Sequence, residues 1–116
     1  MNKLLALTAI IEAATGVALI VVPSLVGRLL LGAELTGVAI PVARVTGIAL
    51  IALGVACWPG STALCGMLAY GALVTLYLAY LGVTGEWVGS LLWPAVVLHG
   101  ILTVLLARTW FQSRQP

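Results

Sequence analysis

Charge is the scarcest property of this chain. Its five Lys and Arg residues and three acidic residues amount to 7% of 116 residues and leave a net charge of +2. So few charges form no basic patch with interleaved aromatics, which excludes nucleic acid as a partner. Cysteine is nearly as scarce: Cys57 and Cys65 flank the turn Trp58-Pro59-Gly60-Ser61-Thr62 without the C-x-x-C spacing of a redox pair. Free thiols acting as small buried hydrophobes are favoured over a disulfide or a redox couple. Histidine occurs once. No catalytic or metal-ligating set is assigned, the cofactor is unknown, and a non-enzyme is favoured over an enzyme.

Apolar residues are what the chain has in excess. They make up 63% of it, and the mean hydropathy is +1.24. A helical crossing needs about 20 apolar residues, and four stretches qualify: residues 4–22, 36–58, 61–81 and 90–108. The expected fold is therefore an all-α integral membrane protein, an antiparallel four-transmembrane-helix bundle forming one domain over residues 1–116. The first stretch resembles a secretory signal because Lys3 precedes it, but it is long enough to span, carries Glu12 and ends at Pro23-Ser24 without a small-residue cleavage site. The segment 24–31 has a candidate N-cap in Ser24, one arginine and a closing Gly32, which suits a short interfacial helix.

The few charges set topology. Lys3, Arg108 and Arg114 lie on the side of the termini, against Arg28 with Glu34 and Glu86 on the other. Positive-inside bias places both termini in the cytoplasm, and the expected location is the bacterial inner membrane. Trp58 and Trp110 on one side, and Trp87 and Trp93 on the other, read as interfacial belts.

Glu12 stands in the middle of the first span, where a charge costs roughly 2.5–3.5 kcal/mol on insertion scales. At 100° per residue it shares a stripe with Thr8, Thr15 and Gly16, a polar, small-residue face expected to point inward. Arg44 lies about 12 Å down the second span, Glu12 about 16 Å from the same end of the first, and His99 about 13 Å down the fourth. Three helices thus offer one polar cluster, with Thr103 four residues beyond His99 and with Tyr70 and Tyr77 facing in from the third span. Two roles stay open. The cluster is either an ion pair that locks helix packing, or the lining of a cavity in which Arg44 attracts a head group or carbonyl while Glu12 or His99 handles a proton.

The run Ala43-Arg44-Val45-Thr46-Gly47-Ile48-Ala49-Leu50-Ile51-Ala52-Leu53-Gly54-Val55 resembles DoxX-like small four-helix membrane proteins. That resemblance implies an accessory role in a larger membrane complex associated with quinones. The run Ala9-Ile10-Ile11-Glu12-Ala13-Ala14-Thr15-Gly16 looks like the first helix of small multidrug-resistance transporters, in which the helix 1 glutamate alternates between a proton and a cation, usually in a dimer. Arg44 beside Glu12 would oppose a cation, and the third span lacks that family's tryptophan, serine and glycine signature. The expected function is a small membrane accessory or lipid- or quinone-binding protein; the alternative is a proton-coupled small-molecule exporter, as a homo-oligomer. Ala43, Gly47 and Gly54 suit close helix approach either within one chain or between copies.

Overall fold

Proline and glycine punctuate the chain, and the helix boundaries follow from where they stand. The computed structural model describes residues 2–85 and 87–114. Within them are five α-helices: α1 (Asn2–Val21), α2 (Pro23–Leu31), α3 (Ala39–Cys57), α4 (Ala63–Thr84) and α5 (Leu92–Ser113), and no strand. Glu86, counted above among the loop charges, lies outside the described residues.

α1 stops because Val22 precedes a proline, which crowds the helical conformation; Val22 sits at φ −133°, ψ 61°. Pro23 then opens α2, where its missing N–H removes no helical bond. The two helices bend 117° apart. Gly32 ends α2 in the left-handed region, φ 79°, with its N–H bonded to the Arg28 carbonyl. Ser24 does not cap the helix as expected. It lies inside α2 and donates to the Leu35 carbonyl at 2.9 Å, tying the helix to the connection that follows.

Pro41 sets the start of α3. The helix begins at Ala39 rather than residue 36, so Pro41 falls third, among the positions whose N–H has no helical acceptor. Pro94 holds the same place in α5, which begins at Leu92 and runs five residues past its expected end. α4 is capped by Thr62, whose hydroxyl accepts from the Cys65 N–H, and closed by Gly85 at φ 74°.

The four long helices alternate in direction, as expected, but they stand in a row. α3 packs against α1 on one side and α4 on the other, and α5 packs against α4 alone. Among the described residues α1 meets neither α4 nor α5. The reason lies in the small residues. Gly47 and Gly54 of α3 abut Gly16, Ala9 and Ala13 of α1, while Ala56, nine residues after Gly47 and so half a turn round the helix, meets Gly66 of α4. On α4, Thr75 is likewise half a turn from Gly66 and meets Gly100 of α5. Close approaches at opposite sides of each middle helix extend a layer instead of closing a bundle. The layer measures 50 × 37 × 15 Å, and its width suits four helices at 8–10 Å spacing.

A layer buries little. Among the described residues Ala9, Ala43, Ile48, Ala52, Val74 and Leu81 form the buried apolar core, and α5 has no buried residue. α3, α4 and α5 are each long and apolar enough to cross a membrane, and the number rises to four if the bent pair of α1 and α2 is counted as one span. These helices, with large exposed apolar side chains along their length, are compatible with an integral membrane protein.

Candidate functional site

The residues expected to cluster occupy three separate places in the layer. Glu12 lines the groove between α1 and α3 with Thr8, Leu53 and Cys57, and makes no hydrogen bond or ion pair among the described residues. Thr8 and Thr15 turn their hydroxyls onto their own helix, donating to the Leu4 and Ile11 carbonyls at 2.8 and 2.9 Å. Arg44 donates from Nε to the Ile20 carbonyl at 3.0 Å. That contact fixes its level eight residues from Glu12 along α1, about 12 Å. His99 stands across the layer on α5, its ring 6.2 Å from that of Tyr70, with Nδ1 2.9 Å from the Ala95 carbonyl. Thr103 donates to the His99 carbonyl at 2.6 Å.

Two physical facts separate Arg44 from Glu12. Because α3 begins at Ala39, Arg44 is only about 8 Å down that helix, short of the depth counted from residue 36. Leu53, which shares the Glu12 groove, lies nine residues from Arg44 and therefore projects from the opposite side of α3. The expected Glu12–Arg44–His99 cluster does not form within one chain, and no charged or polar side chain is buried among the described residues.

Arg44 instead helps to line a cavity of about 450 Å³ between α3 and α4, at the end of the layer near α2. Pro41 and Ile40 flank it on α3, and Tyr77, Tyr80 and Thr84 face it from α4, with Trp87 from the loop that follows. The Tyr77 and Tyr80 rings lie 6.4 Å apart, and the Tyr77 hydroxyl is covered with no hydrogen-bond partner. An orphaned, covered hydroxyl costs about 1–3 kcal/mol. With Nε engaged on Ile20, the two terminal nitrogens of Arg44 carry no partner among the described residues. The cavity thus combines one fixed positive charge, a hydroxyl lacking an acceptor and aromatic walls. It suits a molecule with an apolar body and a head bearing hydrogen-bond acceptors.

No family model, curated protein or solved structure matches the chain. The likenesses noted at residues 9–16 and 43–55 therefore rest on those residues alone, and function has to be argued from the cavity.

Arg44 and Tyr77, expected from the sequence to face inward, both line this cavity, and so do Tyr80, Thr84 and Trp87, of which Trp87 reads in the sequence as an interfacial anchor. The signal was present in the spacing. Tyr77, Tyr80 and Thr84 recur at i, i+3 and i+7, and Pro41 and Arg44 at i and i+3, each set marking one stripe of a helix. Two further grooves are apolar: one between α1 and α3 holds Ile10, Val55 and Trp58, and one between α3 and α4 holds Ala49, Leu53, Met67 and Tyr70.

Proposed function

We propose that this chain is a small four-span membrane protein that binds an amphipathic molecule, a quinone or a lipid, through an acceptor-bearing head held in the Arg44 cavity. In this reading α2 lies in the interface, the termini are cytoplasmic, and the protein serves as an accessory component of a membrane system. One observation carries it: Arg44 and Tyr77, whose covered hydroxyl has no partner, line the same cavity of about 450 Å³. A carbonyl or phosphate oxygen entering there gives Arg44 a charge-assisted bond, the stronger kind at about 1.5–3 kcal/mol, and a turn of the covered Tyr77 side chain toward it would give that hydroxyl the acceptor it lacks. The aromatic walls of Tyr80 and Trp87 suit a planar ring or the upper part of an acyl chain.

The test is a titration of the purified protein in detergent with a short-chain quinone, followed by tryptophan fluorescence, alongside mass spectrometry of co-purifying lipids. Saturable quenching that Arg44→Gln weakens at least ten-fold supports a quinone, and a retained phospholipid lost in the same variant supports a lipid. Quenching that never saturates, with no lipid retained, sinks the proposal.

A proton-coupled exporter is the second reading, and the separation of Arg44 from Glu12 favours it. The fixed positive charge expected to repel a cation stands about 12 Å away and on the other side of α3. Cation efflux driven by a pH gradient and abolished by Glu12→Gln would establish that reading.

A further inference from the structure

We infer that the face carrying Glu12 is the interface with a second copy of this chain, in which Glu12 meets the partner's Tyr70 and His99. Leu53 lines both the groove that holds Glu12 and the groove that holds Tyr70, so the two open on the same face of the layer. His99 joins that face through its ring contact with Tyr70. The face therefore holds a carboxylate with no partner, together with the Tyr70 hydroxyl and the Nε2 of His99, neither hydrogen-bonded among the described residues. Hydrocarbon offers Glu12 nothing, because a charged group within a span needs a donor from protein or water.

The second copy supplies those donors at the right place. The contacts of Gly16 with Gly47 and of Gly54 with Ala9 put Glu12 level with Ile51, and Tyr70 lines its groove with Ala49 and Ala52, on either side of that level. A two-fold axis parallel to the helices preserves depth and reverses the order of the row. It lays α1 over the partner's α5 and α3 over the partner's α4. The groove of Glu12 then faces the partner's α4 and α5 on the side where the Tyr70 and His99 rings meet, and the contact occurs twice. Less than half of the 50 × 37 Å face matches the roughly 800 Å² per partner of a standard interface. The same arrangement covers α5, which one chain leaves without a buried residue.

The cavity at Arg44 projects from the other side of α3, so this interface and the proposed ligand site fail or stand separately. The experiment mixes two differently tagged chains lacking the native cysteines, one with Leu53→Cys and one with Met67→Cys, in phosphatidylcholine vesicles under mild oxidant. These residues face each other across the axis, while Leu76, 68% exposed on the other side of α4, does not. Cross-linking of Leu53→Cys with Met67→Cys, absent when Leu76→Cys replaces the latter, is the expected result. Energy transfer between labelled chains in the same vesicles should report a dimer that Glu12→Leu weakens about ten-fold or more and Tyr70→Phe weakens less. A monomer at every protein-to-lipid ratio, cross-linking through Leu76→Cys instead, or a dimer indifferent to both substitutions overturns the inference.

Discussion

Arg44 reaches from α3 to the carbonyl of Ile20, 3.0 Å away, at the last turn of α1. One guanidinium thereby ties two helices through Nε while its two terminal nitrogens stay available to the cavity. A lysine carries its donors on one nitrogen and lacks the planar fork that lets Nε hold Ile20 while the terminal nitrogens face the cavity. Arg44→Lys should lower stability in detergent by about 0.5–1.5 kcal/mol for the lost bond, or keep that bond and lose ligand affinity. Unfolding and ligand titration on the same sample check this; full retention of both properties would contradict the dual role.

Tyr77→Phe should move stability and binding in opposite directions. Removing a covered hydroxyl without a partner relieves about 1–3 kcal/mol in the ligand-free protein. The same change removes a donor from the ligand head and should weaken binding several-fold. A raised midpoint with lowered affinity is the expected signature.

The contact of α1 with α3 should tolerate no side chain at its closest point. A Cβ on Gly47 would stand 2.5 Å from the Gly16 carbonyl oxygen, a backbone atom that has nowhere to move. Gly47→Val should cost about 1–3 kcal/mol or more through overpacking. Gly89→Ala, with open space around it, should stay within about 0.5 kcal/mol. Chemical denaturation of both variants in mixed micelles checks the contrast.

Arg28 and Glu34 form an ion pair between α2 and the connection after it, both more than half exposed. Glu34→Gln should change stability by less than about 1 kcal/mol, and less still in high salt. A larger effect would show that α2 is anchored chiefly by this pair rather than by Pro23, Gly27 and the bond from Ser24 to Leu35.

Helix number, the short element after the first helix and the alternation of direction were legible in the sequence, because apolar length and Pro–Gly punctuation determine them locally. Arrangement was not. Whether α1 closes onto α5 depends on where small residues lie around α3 and α4, and Gly47, Ala56, Gly66 and Thr75 distribute close approach to opposite sides. The depth of Arg44 was misjudged for a related local reason: Pro41 belongs in the first turn, so the helix starts later than its apolar run. Arg44 and Tyr77 were legible as polar groups in apolar spans. Their meeting with Tyr80, Thr84 and Trp87 depended on the register between α3 and α4, which composition does not encode.

A layer one helix deep has no lumen. Every residue of α3 and α4 that is not turned toward a neighbouring helix looks outward on one face or the other, so the described residues of a single chain enclose no aqueous path from one end of the layer to the other. Any solute or ion conducted by this protein would have to travel between copies, and its conductance would rise with a power of protein density in the bilayer rather than in proportion to it.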